Sequence, residues 1–191
     1  MVTTKLYTAA DLAAMGSDAP YELIDGDLRE VSPCFDDPSR IGIRIAAPLF
    51  AFVEEHELGE VFGADGGFRL PGERETVVAP DVSFLGVERI PADHDFQSFF
   101  PGAPDFATEV VSLSNTPDEV ADKVRRYLAA GSRLVWEARP LSQTVVVHRP
   151  SKEPVVKCVG DVLDGEDVLP GFRLPVASIF KEPRRGGRSR A

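Results

Sequence analysis

The sequence predicts one domain of the α+β or α/β class, in which helices pack against a mixed β-sheet. Its hydrophobic periodicity follows the order helix, several strands, helix, strands. A length of 191 residues is within the usual range of a single folded unit. With 43% hydrophobic and 27% charged residues, the composition is that of an ordinary globular protein. We therefore expect one domain over residues 1–180.

The first predicted elements are a short helix and a hairpin. Thr8 is expected to cap the helix because Asp11 follows three positions later, at the start of an Ala- and Leu-rich segment. Residues 21–32 contain two short strand-like runs on either side of an Asp-Gly pair. Such a pair is a strong hairpin signal, because both residues tolerate positive φ angles.

A longer helix and three strand candidates follow the hairpin. Apolar residues recur at helical spacing between residues 41 and 58, at positions 41, 45, 49, 52 and 53. Pro48 lies inside this pattern and lacks a backbone N–H, so we expect it to kink the helix. Strands are expected in the apolar runs at 60–70, 76–85 and 105–112.

The most clearly delimited element is a helix over residues 117–130. Thr116 is a natural N-cap, Pro117 fits the first helical position, and Glu119 completes a capping box. Gly131 favours termination of the helix. Two strands and a closing hairpin are expected after it, at 133–138, 144–149 and 161–176.

The charge is acidic and unevenly distributed. The formal net charge is −10, but residues 181–191 contain five basic residues and one acidic residue, so residues 1–180 carry −14. We expect this Gly- and Arg-rich tail to be disordered, either simply solvated or making a weak electrostatic contact. An acidic body repels nucleic acid, so any nucleic-acid function must overcome this charge.

The cysteines and the hydropathy indicate the cellular compartment. Cys34 and Cys158 are too few for a disulfide framework, and we expect both to be reduced thiols. No apolar run approaches the roughly 20 residues that a membrane helix needs. Near the N-terminus, an acid interrupts the segment where a signal peptide would be apolar. We therefore expect a cytoplasmic protein.

Common catalytic motifs are absent from the sequence, including the glycine-rich phosphate loops, the nucleophile elbow of hydrolases and the paired-histidine zinc motif. The three histidines, His56, His94 and His148, fall at positions where structural or solvated roles are usual. Any catalysis is therefore expected to depend on carboxylates.

Asp81, Glu109 and Lys123 form the most informative group of residues. Asp81 and Glu109 lie on successive predicted strands, where two carboxylates can hold a hard divalent cation such as Mg²⁺. Lys123 lies level with Glu109 if the capped helix folds back along the strand. A lysine there can orient or deprotonate a water and offset charge on a phosphate, which suits phosphodiester hydrolysis.

Competing interpretations exist for each member of this group. Asp105 is an alternative first carboxylate, although about 13 Å of strand separates it from Glu109, too far to share an ion. Glu109 lies in an apolar run and is costly to bury unpaired, so a structural ion pair with Lys123 is a competing explanation. Glu22 is either a fourth member of the group or an exposed strand residue.

Five segments, taken together and in order, carry a family resemblance. They are YELIDGDLREVSP (21–33), APDVSF (79–84), PDFATEVVSLSNT (104–116), EVADKVRRYLAAGSRLVW (119–136) and GDVLDGEDVLPGFRLPVASIF (160–180). These segments resemble the bacterial Uma-two family, which is assigned to the PD-(D/E)XK restriction-endonuclease-like superfamily. The resemblance implies an αβββαβ nuclease core flanked by helices, with an additional β-hairpin region.

The resemblance also implies roles for individual residues. It makes Asp81 the Pro-Asp carboxylate and Glu109 the second acid of the site. In the superfamily a lysine stands two residues after that acid, where this chain has Val111. The Uma-two family resembles a variant form in which the following helix supplies the lysine, and Lys123 fits that position. The predicted metal ligands are Asp81, Glu109 and the backbone carbonyl of Val110.

The resemblance bears on three further residues, one as a member of the site and two as departures from the family pattern. It suggests Glu22 as a supporting acid of the catalytic group. Arg139 stands where family members often have an aspartate, and Pro48 interrupts the first core helix. Neither of these two departures touches the proposed metal site.

The sequence therefore supports two hypotheses of different classes. The first is an endonuclease that uses Mg²⁺ or Mn²⁺, with DNA as the expected substrate. The second is a non-catalytic interaction module that keeps the fold and binds a basic protein through its acidic surface. We also expect a homodimer, because the apolar strand 144–149 near the far edge of the sheet is able to pair with its copy.

Overall fold

The computed structural model of the chain describes residues 5–16, 19–31, 36–112 and 116–183. Cys34 and the predicted basic tail from residue 184 onward lie outside these ranges. Cys158 is exposed and free, as predicted. None of the helices in the described ranges is long and apolar enough to cross a membrane.

Four α-helices and thirteen strands occur in these ranges. In chain order they are α1 (Ala9–Ala14), β1 (Tyr21–Ile24), β2 (Asp27–Glu30), α2 (Asp36–Glu55), β3 (Gly59–Gly63), β4 (Phe68–Leu70), β5 (Thr76–Val78), β6 (Val82–Gly86), β7 (Phe100–Pro101), β8 (Phe106–Val110), α3 (Pro117–Ala129), β9 (Leu134–Arg139), β10 (Thr144–Arg149), β11 (Lys152–Lys157), β12 (Val162–Asp164), β13 (Arg173–Pro175) and α4 (Val176–Ile179).

The two local signals near the N-terminus are confirmed. Thr8 caps α1, because its hydroxyl accepts the Asp11 N–H at 3.1 Å while the Asp11 carboxylate accepts the Thr8 N–H at 2.8 Å. Strands β1 and β2 form an antiparallel hairpin. Its turn residues, Asp25 and Gly26, have φ angles of 52° and 85°, the double positive φ that favours Asp-Gly.

A six-stranded sheet forms the centre of the fold, in the order β11, β10, β9, β8, β6, β3. Strands β8 and β9 are parallel because α3 connects them as a crossover, and the other pairs are antiparallel. The elements α2, β3, β6, β8, α3 and β9 reproduce the αβββαβ order. This confirms the predicted mixed sheet flanked by helices.

Helix α2 covers one face of this sheet and continues through Pro48. Its buried stripe consists of Ile41, Ile45, Leu49 and Val53, each at most 1% exposed. Burying one such side chain contributes about 1.5–3 kcal/mol, whereas an interior proline costs about 3 kcal/mol. Four buried side chains therefore outweigh the proline, and Pro48 does not end the helix.

A second sheet has five strands in the order β2, β1, β5, β4, β7. The single strands predicted over 60–70 and 76–85 are wrong, because each is divided between the two sheets. Strands β3 and β6 belong to the central sheet, whereas β4 and β5 belong to the second. The second division occurs at residues 79–81, where Pro80 has no N–H for a ladder hydrogen bond. Asp81 therefore lies just before β6, where the chain passes between the sheets.

Helix α3 lies on the face of the central sheet opposite α2. Thr116 and Glu119 form the predicted capping box, and Gly131, with a φ of 108°, follows the helix end. Val124 and Tyr127 are buried in one cluster with side chains of both sheets, among them Phe68 and Val135. This packing fixes the direction in which the neighbouring Lys123 points.

The predicted edge at residues 144–149 is wrong. These residues form β10, which pairs with β9 on one side and with β11 on the other. The sequence KEPVVK of β11 contains three charged residues and a proline, so it carries a weak strand signal. Strand β10 consequently has no free edge with which to pair a second copy.

Candidate active site

The predicted site residues meet where α3 and the two sheets come together. Glu22 extends from β1 in the five-stranded sheet, and Glu109 extends from β8 in the central sheet. Lys123 reaches between them from α3: its Nζ atom lies 2.9 Å from Glu22 Oε1 and 3.3 Å from Glu109 Oε2. The ammonium group therefore joins carboxylates from both sheets.

Backbone amides hold two of the carboxylates in place. The Val110 N–H donates to Asp81 Oδ2 at 2.6 Å, and the Ala79 N–H donates to Glu22 Oε1 at 3.0 Å. Hydrogen bonds from backbone N–H groups to a carboxylate are charge-assisted and short. Asp81 is thereby placed next to the strand that carries Glu109.

Tyr127 fixes the orientation of Glu109. Its hydroxyl donates a hydrogen bond of 2.6 Å to Glu109 Oε1, and its side chain is completely buried. In the sequence this tyrosine appears only as a member of the apolar stripe of α3. Its spacing of four residues from Lys123, which places both on one side of the helix, is the signal that identifies it.

The site contains more negative than positive charge. Glu22 and Glu109 contact the single ammonium group and Asp81 acts on it electrostatically, so the four groups together carry −2 when all three carboxylates are ionised. Burial raises the pKa of Glu109 to about 7, although the Lys123 ammonium favours the ionised form. Burial also raises the pKa of Asp81 above its usual value.

The pKa of Lys123 is raised, whereas the pKa of an isolated buried lysine is lowered. Burial alone would lower its pKa, but the carboxylates of Glu109 and Glu22 outweigh burial and raise the pKa above its ordinary value. The side chain is therefore an ammonium group at neutral pH and acts as a hydrogen-bond donor only.

The donor atoms of this site fit a hard divalent cation, because they are all oxygens. The N–H and C=O of a strand residue point to the same edge, so the carbonyl of Val110 is on the Asp81 side of β8. Within the described ranges, no group of three or more acidic, histidine or cysteine side chains has the geometry of a metal centre. The predicted ligand set has two such side chains and one backbone oxygen.

Comparison with known families identifies the chain. A family model described as "Putative restriction endonuclease" matches residues 7–177, which is most of the sequence. The chain belongs to the Uma2 (Uma-two) family. A search of curated proteins finds no match to this Uma2 chain.

One solved structure similar to the Uma2 chain is the crystal structure of a "putative nuclease" of DUF820 from Anabaena variabilis. The TM-score is 0.77, and the match covers 91% of this chain and 97% of that chain, at 21% sequence identity. This likeness confirms the restriction-endonuclease-like fold.

Asp105, the competing carboxylate of the Uma2 chain, has a different environment. It is 3% exposed and accepts hydrogen bonds from the Gly86 N–H at 2.9 Å and from Arg89 Nη1 at 3.0 Å. A backbone amide and a guanidinium thus compensate the charge of this carboxylate, and Lys123 is not one of its hydrogen-bond partners. The structure therefore separates Asp105 from the group of Glu22, Asp81 and Glu109.

Glu22 of the Uma2 chain is buried and contacts Lys123, so of the two alternatives for this residue the structure excludes the exposed strand residue. Val111, at the usual lysine position, is only partly buried, and its N–H donates to the Ala138 carbonyl. Arg139 donates to Glu137 at 2.6 Å and has no contact with the Lys123 group. The lysine nearest Glu109 is thus the helical one.

Proposed function

We propose that this protein is a metal-dependent nuclease that hydrolyses phosphodiester bonds of nucleic acid. The observation that carries this proposal is the position of the Lys123 ammonium between the carboxylates of Glu22 and Glu109, with Asp81 bound to the backbone amide next to Glu109. Membership of a family described as restriction endonucleases supports the same activity. Cytoplasmic location and a homodimeric assembly, with DNA as substrate, belong to this proposal as predictions.

Asp81, Glu109 and the carbonyl of Val110 would hold the metal ion, Mg²⁺ or Mn²⁺. Restriction-endonuclease-like families generally use a divalent metal. When bound, such an ion supplies a Lewis acid that stabilises negative charge on a phosphoryl oxygen. The −2 charge of the ionised group favours binding of a divalent cation at this place.

Each side chain of the site has a separate task. Lys123 donates hydrogen bonds from a fixed position and orients the attacking water, while its charge offsets the charge that develops on the phosphate. Glu22 holds Lys123 at 2.9 Å and so prevents the ammonium from binding Glu109 alone. Tyr127, on the same face of α3 as Lys123, donates a second hydrogen bond to Glu109. The arrangement is preorganised because both sheets support it.

Metal binding is tested by calorimetry with Mn²⁺. We expect the wild type to bind and Asp81→Ala to lose binding, because one of the two side-chain ligands is removed. Asp105→Asn is the matched control, since that residue is also a buried acid but lies outside the group. Equal binding by the wild type and Asp81→Ala would contradict the proposed ligand set.

Cleavage is tested with plasmid and single-stranded substrates in the presence of Mn²⁺. We expect Lys123→Ala to abolish cleavage and to keep or tighten metal binding, because removal of a cation raises the affinity of the carboxylates for another. Lys123→Arg keeps the charge but changes its shape, so an ion pair survives while catalysis is lost. If Lys123→Ala cleaves as fast as the wild type, this lysine has no part in the mechanism.

Thermal melts of the same variants separate catalysis from structure. A purely structural lysine predicts that Lys123→Ala lowers stability by about 3–5 kcal/mol, with no rescue by added Mg²⁺. If the wild type cleaves no substrate, the interaction module becomes the better explanation. Light scattering of the wild type tests the homodimer, and a single species of 20.8 kDa would contradict it.

A further inference from the structure

A cavity of about 770 Å³ lies beside α3 and against strands β9 and β10. Its volume is within the range of about 300–1,000 Å³ that small-molecule sites occupy. The walls are mainly apolar and include Val111, Val120, Val124, Leu128, Pro140 and Leu141. Leu141, at the turn between β9 and β10, is 87% exposed and forms part of the rim.

The cavity adjoins the candidate active site. Glu109 of the site and Glu137 of the cavity are register partners on the parallel strands β8 and β9, so their backbones are about 4.8 Å apart. Val111 of the wall follows Glu109 by two residues. Helix α3 presents Lys123 to the site and Val120 to the cavity. One helix therefore forms a boundary of both.

Basic residues outnumber acidic residues in the lining of the cavity, although the whole protein is acidic. Four basic residues and two acidic residues are among its lining, which gives a formal charge of +2 in a chain of −10. These residues are Arg125, Arg139, Arg149, Lys152, Asp37 and Glu137. Arg125, Arg139 and Arg149 are ion-paired with Asp122, Glu137 and Glu166, so Lys152 is the basic residue of the lining to which an anionic ligand binds without first breaking one of these ion pairs.

A buried polar group is directed into the apolar cavity. Glu137 is 6% exposed, and its carboxylate accepts hydrogen bonds from Arg139 Nε at 2.6 Å and from His148 Nε2 at 3.0 Å. Each carboxylate oxygen has two lone pairs, so Glu137 retains capacity to accept another donor. The exocyclic amino group of cytosine is a donor that carboxylates accept.

We propose that this cavity binds one unstacked nucleotide of a single-stranded nucleic acid, with the base between the apolar walls and the phosphate at the basic rim. The inference deepens the proposed nuclease function and rests on it. Single-stranded recognition commonly places splayed bases against side chains that cover their faces, and here aliphatic walls take the part that aromatic rings play in many such sites. It also gives nucleic-acid binding a local basic contact, Lys152 at the rim, in an otherwise acidic protein.

The decisive variant fills the cavity from the helix. Ala121 lines the cavity and is exposed, so Ala121→Trp occupies the space without disturbing the core. Ala129→Trp makes the same change at an exposed position of α3 outside the cavity and is the matched control. Binding is measured by fluorescence anisotropy of a labelled single strand of deoxycytidine in the presence of a chelator. We expect Ala121→Trp to weaken binding by about tenfold or more, and Ala129→Trp to leave it unchanged.

A second pair of variants tests the rim. Lys152 lines the cavity at the start of β11, whereas Lys157 ends the same strand outside it. We expect Lys152→Glu to weaken binding severalfold and to reduce its salt dependence, because a phosphate contact is lost. Lys157→Glu changes the net charge equally and should have a much smaller effect. Equal effects of the two would mean that overall charge, not the cavity, governs binding, and would overturn the inference.

The outcomes distinguish this inference from the function on which it rests. If the wild type cleaves nucleic acid and Ala121→Trp binds and cleaves normally, the cavity inference is wrong and the nuclease proposal stands. If the wild type neither binds nor cleaves nucleic acid, both are wrong. If Ala121→Trp instead converts a dimer into a monomer without changing binding, the cavity is an interface between copies of this chain, which also overturns the inference.

Discussion

Strand β8 provides an internal comparison between two buried carboxylates, Asp105 just before it and Glu109 within it. Their exposed fractions are similar, 3% and 8%. Asp105 accepts hydrogen bonds from Arg89 and from the Gly86 amide, so one positive charge balances one negative charge. Glu109 shares the single ammonium of Lys123 with Glu22.

The difference between these carboxylates concerns charge balance, not burial. A structural acid has its own cation, whereas the Glu109 group keeps an excess of negative charge in a buried place. Like charges held together cost free energy unless a further cation joins them. Such a cost in free energy is typical of functional sites. Three variants and a pH series test whether Glu109 is a functional acid and Asp105 a structural one.

The largest expected effect is on cleavage by Glu109→Gln. The variant loses one carboxylate ligand, so we expect cleavage to fall by on the order of a thousandfold. Its thermal stability at neutral pH should not decrease, because the amide keeps the shape and removes a crowded negative charge. A loss of stability as large as that of the Asp105 variant would make Glu109 a structural acid of the same kind.

Asp105→Asn should give the opposite pattern. We expect the free energy of unfolding to fall by about 3 kcal/mol, because Arg89 and the Gly86 amide lose an ionised partner, with the Arg89 side chain only one-third exposed. The folded fraction should cleave as fast as the wild type. Urea denaturation and activity per folded molecule measure the two quantities, and a selective loss of activity would connect Asp105 to the site.

The pH dependence of stability should also separate the two acids. The pKa of Glu109 is raised from 4.5 to about 7, so between these pH values the folded protein holds a proton that the unfolded chain has released. The free energy of unfolding should therefore fall as pH rises through this window, by up to about 3 kcal/mol from this group. Urea denaturation with a chelator measures the slope. Glu109→Gln should reduce the slope to the part that comes from Asp81, whose pKa is also raised, and Asp105→Asn should retain it.

The smallest expected effect belongs to Tyr127→Phe. The variant keeps the buried ring and removes the hydroxyl that donates to Glu109, so we expect a stability loss of about 1.5 kcal/mol above neutral pH. Cleavage should fall by about tenfold, because Glu109 keeps its charge but loses one fixed orientation. Unchanged cleavage together with reduced stability would make Tyr127 a packing residue alone.

Local signals explain which parts of the fold the sequence predicts. The hairpin follows from the Asp25-Gly26 pair and the boundaries of α3 follow from Thr116 and Gly131, because these residues act within a few positions of themselves. The division of 76–85 between two sheets depends on partners far away in sequence. Pro80 marks the place, but a proline alone does not show that the chain changes sheets.

The same distinction applies to the candidate site. Glu22, Asp81, Glu109 and Lys123 were predicted by acids in apolar runs and by the family resemblance, and the structure brings them together. The Glu137 and His148 pair was not predicted, because its two members are on different strands and neither is unusual in its own segment. Strand β11 was not predicted for a related reason: its own sequence has a weak strand signal, and pairing with β10 stabilises it.

The attachment of Asp81 and Glu22 to backbone amides gives the site two built-in spectroscopic reporters. The amide protons of Val110 and Ala79 point at these carboxylates, so their NMR chemical shifts respond to the ionisation of the acceptor. Val110 is the last residue of β8 in the central sheet, whereas Ala79 directly follows β5 of the second sheet. A cation added to a ¹⁵N-labelled sample can thus be followed separately at each carboxylate, without any substrate.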